Sequence, residues 1–129
     1  MADVVLVEDD DDVAFLMELF LEREGHCVRR APDGEKGLEL LEDHLPELVV
    51  MDVEMPLLDG PGMAARMLVE DAGRERIPIL LVSGAIGLDP IAERAGTPYA
   101  LAKPFDPTEL IALTSKALVE RRPPAPPSP

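Results

Sequence analysis

The sequence predicts an α/β domain: a doubly wound, five-stranded parallel sheet with helices on both faces. Three observations point there. The apolar runs Val4-Val5-Leu6-Val7, Leu48-Val49-Val50-Met51 and Ile79-Leu80-Leu81-Val82 turn no polar residue toward water, as strands buried on both faces require. Between such runs lie stretches with helical periodicity and helix start and stop residues. Each run ends in polar residues, Glu8 and Asp9, Asp52, and Ser83, and open α/β sheets bind ligands at the carboxyl ends of their strands.

The first strand, from Val4, ends in the acidic stretch 8–12. A helix follows with Val13, Met17, Phe20 and Leu21 on one stripe, an aspartate as its cap and Gly25 as its stop. Cys27-Val28-Arg29-Arg30 is a short strand, polar enough for an edge. Asp33 caps a second helix with Leu38, Leu41 and Leu45 inward, ended by Pro46. Leu48 to Met51 is the third strand. A third helix runs from about Pro61 through Met63, Met67 and Leu68 to Gly73. The fourth strand spans Ile77 to Val82, with Pro78 near its start because proline cannot donate to a ladder. Gly87, Asp89 and Pro90 leave room for only a short helix over 85–95. Tyr99 to Ala102 is the fifth strand and leads to Lys103-Pro104. Asp106, Pro107 and Glu109 open a last helix with Leu110, Ile111, Thr114, Ala117 and Leu118 inward. The expected division is a domain over 1–120 and a solvated, extended proline-rich tail over 121–129.

Composition narrows the function. A chain of 129 residues suits one domain, and 47% hydrophobic residues suit a packed core. With only 3% aromatics, aliphatic side chains and Met must fill that core. A net charge of −14 disfavours nucleic acid and anionic membrane surfaces as partners. Lone Cys27 offers no disulfide framework and is expected as a small core residue in a reducing compartment. The N-terminus lacks a basic region, the run at 4–7 is too short for a signal peptide, and no stretch approaches the ~20 apolar residues of a membrane helix. The expectation is a cytoplasmic protein, with a monomeric state compatible with all of this. His26 and His44 are expected as exposed helix-end residues.

The strand ends carry the chemistry. Glu8, Asp9, Asp52, Ser83 and Lys103 are distant in sequence but fall on one rim of the sheet. Carboxylates brought together repel unless a cation compensates, and a hard divalent ion with oxygen ligands is suited to that. With an ammonium and a hydroxyl added, the set matches what a phosphoryl group needs, with a carboxylate as nucleophile.

These residues are the ones that resemble a known family. Leu6-Val7-Glu8-Asp9-Asp10, Val49-Val50-Met51-Asp52-Val53-Glu54-Met55-Pro56, Asp59-Gly60, Leu81-Val82-Ser83-Gly84 and Lys103-Pro104-Phe105 resemble the receiver domain of two-component response regulators over about residues 3 to 119. The resemblance implies a flavodoxin-like strand order and a stand-alone receiver with no output domain. It implies Asp52 as phosphoacceptor from a sensor histidine kinase or phosphotransfer protein. Magnesium would be held by Asp9, Asp52 and the backbone carbonyl of Glu54, with Glu8 acting through water or behind. Ser83 and Lys103 would contact the phosphoryl group, the Lys103-Pro104 bond would be cis, and a downstream protein would read the result. Such a protein catalyses only its own phosphotransfer and dephosphorylation.

Two departures fall on one face. The family's switch aromatic position is Ala100 here, with Tyr99 turned to the opposite side by strand alternation. The span from Ser83 to Gly96 is about two residues shorter than the family's usual length. The segment 84–96 is therefore expected to reorder on phosphorylation, and Glu54 is expected to tune the lifetime of the phosphoryl group. The competing readings are a degenerate receiver that binds without phosphorylation and an aspartyl-phosphate-forming phosphatase. The latter lacks a cap domain here and has Glu54 where such enzymes place a second Asp.

Overall fold

The computed structural model describes residues 2–52, 60–83 and 96–125. Its strands are β1 (Asp3–Val7), β2 (Cys27–Ala31), β3 (Leu48–Asp52), β4 (Ile79–Ser83) and β5 (Tyr99–Ala102). They form one sheet in the order β2-β1-β3-β4-β5, every pair parallel. The helices among the described residues are α1 (Asp11–Arg23), α2 (Gly34–Asp43), α3 (Gly60–Arg74) and α4 (Pro107–Glu120). The short helix expected over 85–95 lies outside the described residues.

The central strands β1, β3 and β4 are buried on both faces because alternate apolar residues feed two separate cores. Val5, Val7, Val49, Met51, Ile79 and Leu81 pack with Leu41 of α2 and Leu68 and Ala72 of α3. Val4, Leu6, Leu48, Val50, Leu80 and Val82 pack with Met17 and Leu21 of α1 and Leu110 and Ala117 of α4. Tyr99 and Leu101 belong to this second layer. Ala100 pairs with Leu81 in the ladder and so takes the other face, as strand alternation predicts.

Short-range chemistry sets the helix ends. Asp10 caps α1 by accepting from the backbone N–H groups of Asp12 and Val13, at 2.9 and 3.1 Å. Asp33 does the same for α2 through Lys36 N–H at 2.8 Å, and Asp106 for α4 through Thr108 N–H at 3.0 Å. Helix α1 ends in a Schellman turn: Gly25 N–H donates to Glu22 O and His26 N–H to Leu21 O. Gly25 takes φ 91°, where a side chain would be strained. Helix α3 closes with the same pattern, Arg76 N–H to Gly73 O and Ile77 N–H to Ala72 O, but with Arg76 in the left-handed position at φ 58°.

Several expectations are corrected by which side of an element has a neighbour. Cys27 is exposed at the start of the edge strand β2, not in the core. Leu45, expected inward on the second helix, is 49% exposed, because α2 ends at Asp43 and His44 turns extended, which takes Leu45 off the helix. Met67 of α3 is 52% exposed. The side chain of Met63 lies outside the described residues. His26 is half-buried, since its Nδ1 accepts the Ala2 N–H at 3.2 Å.

The first residues of the proline-rich tail fold back onto the domain. Pro124 is buried, and Ala125 N–H donates to Gly96 O at 2.9 Å. Gly73 permits this approach: a Cβ there would stand 2.9 Å from the Pro124 carbonyl oxygen. Nearby, the buried Tyr99 hydroxyl donates to Glu120 Oε1 at 3.0 Å and accepts from Arg122 N–H at 3.3 Å. Pro124 is therefore packed in a tail expected to be solvated, while Arg121, Arg122 and Ala125 remain exposed.

Candidate functional site

The chain leaves β1 for the edge strand β2 and returns to β3 on the other side of β1. Such a reversal opens a crevice at the carboxyl ends of the two central strands. Val7 pairs with Met51, so the next residues, Glu8 and Asp52, emerge side by side into it. One carboxylate oxygen each from Glu8, Asp9 and Asp52 lies within 4.8 Å of the others. Lys103, following β5, reaches across: its Nζ pairs with Asp52 Oδ2 and lies 3.3 Å from Glu8 Oε1. Residues separated by up to 95 positions meet on one rim, as their places at strand ends predict. The Lys103-Pro104 bond is cis.

The four groups differ in environment. The Glu8 side chain is fully buried and that of Asp52 nearly so, while Lys103 is partly exposed and Asp9 is open to solvent. Burial first, then the hydrogen bond and negative charge of Asp52, push the Glu8 carboxyl up to about 8. Burial pulls the Lys103 ammonium down, but Asp52 and then Glu8 outweigh it and hold Lys103 above the ordinary lysine range. These shifts favour the protonated form of Glu8 and the charged form of Lys103. Both compensate like charges that would otherwise repel.

Asp52 is the least satisfied member. Its Oδ2 has Lys103, but its Oδ1 is buried with no hydrogen-bond partner among the described residues. A buried acceptor without a donor costs about 1–3 kcal/mol. Such an oxygen, beside two further carboxylates, fits a hard cation. The Ser83 backbone completes β4 against Ala102, which brings it to the same rim. Its side chain, and the whole of Glu54, lie outside the described residues.

One residue the sequence reading passed over also belongs here. Arg30 Nη2 donates to the Glu8 carbonyl at 2.9 Å and Nη1 pairs with Asp11 at 2.7 Å. The consecutive arginines Arg29 and Arg30 could have been assigned to opposite faces of β2 by alternation. Only the β1–β2 register, Leu6 against Arg30, shows that the second one looks toward the acidic loop.

Fold and site together define a doubly wound α/β domain with an acidic pocket and a lysine at its carboxyl rim. The model of the response regulator receiver domain matches residues 4–115, and the chain belongs to that family. An uncharacterized 14.6 kDa protein of Leptolyngbya boryana is 39% identical over 115 residues, 88% of each chain. The transcriptional regulatory protein CseB of Streptomyces avermitilis is 35% identical over 111 residues, 84% of this chain but 46% of that one. This chain thus spans about half the length of that regulator. Among solved structures, a putative response regulator from Chloroflexus aurantiacus superposes with TM-score 0.77 at 33% identity, over 92% of this chain and 98% of that one. A CheY-like receiver domain protein from Methanospirillum hungatei superposes with TM-score 0.78 at 26% identity, over 94% and 96%. Receiver domains are regulatory modules that interact with histidine kinases or phosphotransfer proteins. Among the described residues, no helix is long and apolar enough to cross a membrane.

Proposed function

We propose that this chain accepts a phosphoryl group on Asp52 from the phosphohistidine of a sensor kinase or phosphotransfer protein, with magnesium, and signals by binding or releasing a downstream protein. The observation that carries the reading is the unequal state of the two Asp52 oxygens: Oδ2 is held by Lys103, and Oδ1 is buried without a donor among the described residues. A bond forms between an Asp52 oxygen and phosphorus as the phosphorus–nitrogen bond breaks and its electron pair returns to the imidazole. Lys103 then has phosphoryl oxygens in reach and can neutralise them, and the Ser83 hydroxyl donates to another. Asp9 and Asp52 fit magnesium as direct ligands, Glu8 through water or from behind, and the Glu54 carbonyl as a further ligand. Magnesium, when bound, supplies charge neutralisation on the phosphoryl oxygens. Segment 84–96 is proposed to reorder in response, and the Glu54 side chain to set how long the phosphoryl group lasts.

A phosphorylation-independent binding module is the second reading, favoured by Ala100 at the usual aromatic position. Acetyl phosphate with magnesium separates the readings. Stable labelling that Asp52→Asn abolishes supports the receiver, and turnover of a small phosphoester supports an enzyme. Absence of both supports the binding module.

A further inference from the structure

The loop that presents Glu8 and Asp9 is held by a side chain that no family motif marks. Arg30 Nε and Nη2 both donate to the Glu8 carbonyl, at 3.2 and 2.9 Å. Nη2 also reaches the Asp9 carbonyl at 3.4 Å, and Nη1 closes on Asp11 Oδ1 at 2.7 Å. One planar guanidinium thus grips the loop at three residues, Glu8, Asp9 and Asp11. Five consecutive acids run from Glu8 to Asp12, and their mutual repulsion would splay the loop without such an anchor. Asp10 is committed to the α1 cap, and the Glu8 side chain to Lys103. Exposed Asp9 has its backbone carbonyl tied to Arg30.

We propose that Arg30 is a positioning residue for the cation pocket: it fixes the 8–11 backbone so that Glu8 and Asp9 face Asp52 before a cation arrives. This rests on the reading of Asp52 as the magnesium-dependent phosphoacceptor. The role is geometric. Arg30 is paired with Asp11, so its charge is locally balanced, and the fork of donors is what lysine cannot reproduce. Groups that orient metal ligands from behind are worth roughly tenfold to a hundredfold in metal affinity.

The test is magnesium titration by calorimetry on the full chain, with amide exchange measured in the absence of metal. Arg30→Gln is expected to weaken magnesium about tenfold and to speed exchange of the Asp12 and Val13 amides. Arg30→Lys is expected to stay weakened despite keeping the charge. Arg29→Gln serves as the control: it removes a cation from the same strand, on the face where Arg29 holds Asp3, Leu40 O and His44 O, and leaves magnesium affinity unchanged. Unchanged or tighter magnesium binding in Arg30→Gln, full recovery in Arg30→Lys, or unaltered loop exchange would overturn the proposal. A wild-type chain that binds magnesium with this Arg30 dependence yet takes no phosphoryl group at Asp52 retires the phosphoacceptor reading and leaves the Arg30 role standing.

Discussion

The two ends of the sheet solve the problem of buried polar groups in opposite ways. At the amino end, the Tyr99 hydroxyl both donates and accepts, and Thr97 Oγ1 donates to Ile79 O and accepts from Tyr99 N–H. At the carboxyl end, three carboxylates crowd together, one holds a proton well above its usual range, and Asp52 Oδ1 lacks a donor among the described residues. Such strain is tolerated where a ligand relieves it. The amino end holds the fold together; the carboxyl end keeps a site ready.

The sharpest way to break this contrast is to vary pH without divalent ions. The Glu8 carboxyl rises on folding from about 4.5 to about 8, so the folded chain binds more protons than the unfolded one between those values. Stability should then fall as pH rises from 5 to 8, on the order of 2 kcal/mol, followed by denaturant melts. Glu8→Gln should flatten that slope, and magnesium should offset it while releasing a proton. A slope unchanged in Glu8→Gln would place the strain elsewhere.

At the other end, Tyr99→Phe removes a hydroxyl that bonds both the Glu120 carboxylate and the Arg122 N–H. It should cost about 1–2 kcal/mol in thermal or chemical melts and leave Asp52 labelling unchanged. Arg76→Gly relieves a left-handed backbone at the end of α3 and should gain about 1 kcal/mol, read as a higher Tm. The smallest effect on stability is expected from Gly73→Ala. The better helix former offsets the loss of Pro124 packing, so global stability stays nearly constant. The Ala125 amide, which donates to Gly96, should nevertheless lose exchange protection.

Much of this was readable in advance because the signals were local. Unbroken apolar runs named β1, β3 and β4, since only strands covered on both faces tolerate them. Aspartates at cap positions named the starts of α1, α2 and α4. Glu8, Asp9, Asp52 and Lys103 were recognisable because each stands at the end of a strand or within two residues of it. What the sequence hid depends on neighbours. Leu45 turns outward because α2 stops two residues before it, at Asp43, a boundary the helical periodicity alone does not fix. Cys27 looked like a core residue until β2 proved to be uncovered there. The tail reads as solvated by composition, and only a glycine fifty residues earlier makes room for Pro124. The grip of Arg30 needs the strand register, which no local pattern encodes.

The contact between Lys103 and Asp52 has a mechanical corollary. The ammonium occupies Oδ2, so any group that claims that oxygen displaces the lysine from Asp52 and leaves it with Glu8, 3.3 Å away. Lys103 follows directly on β5, so that exchange takes place at one end of the strand whose other end anchors Tyr99 to the close of α4.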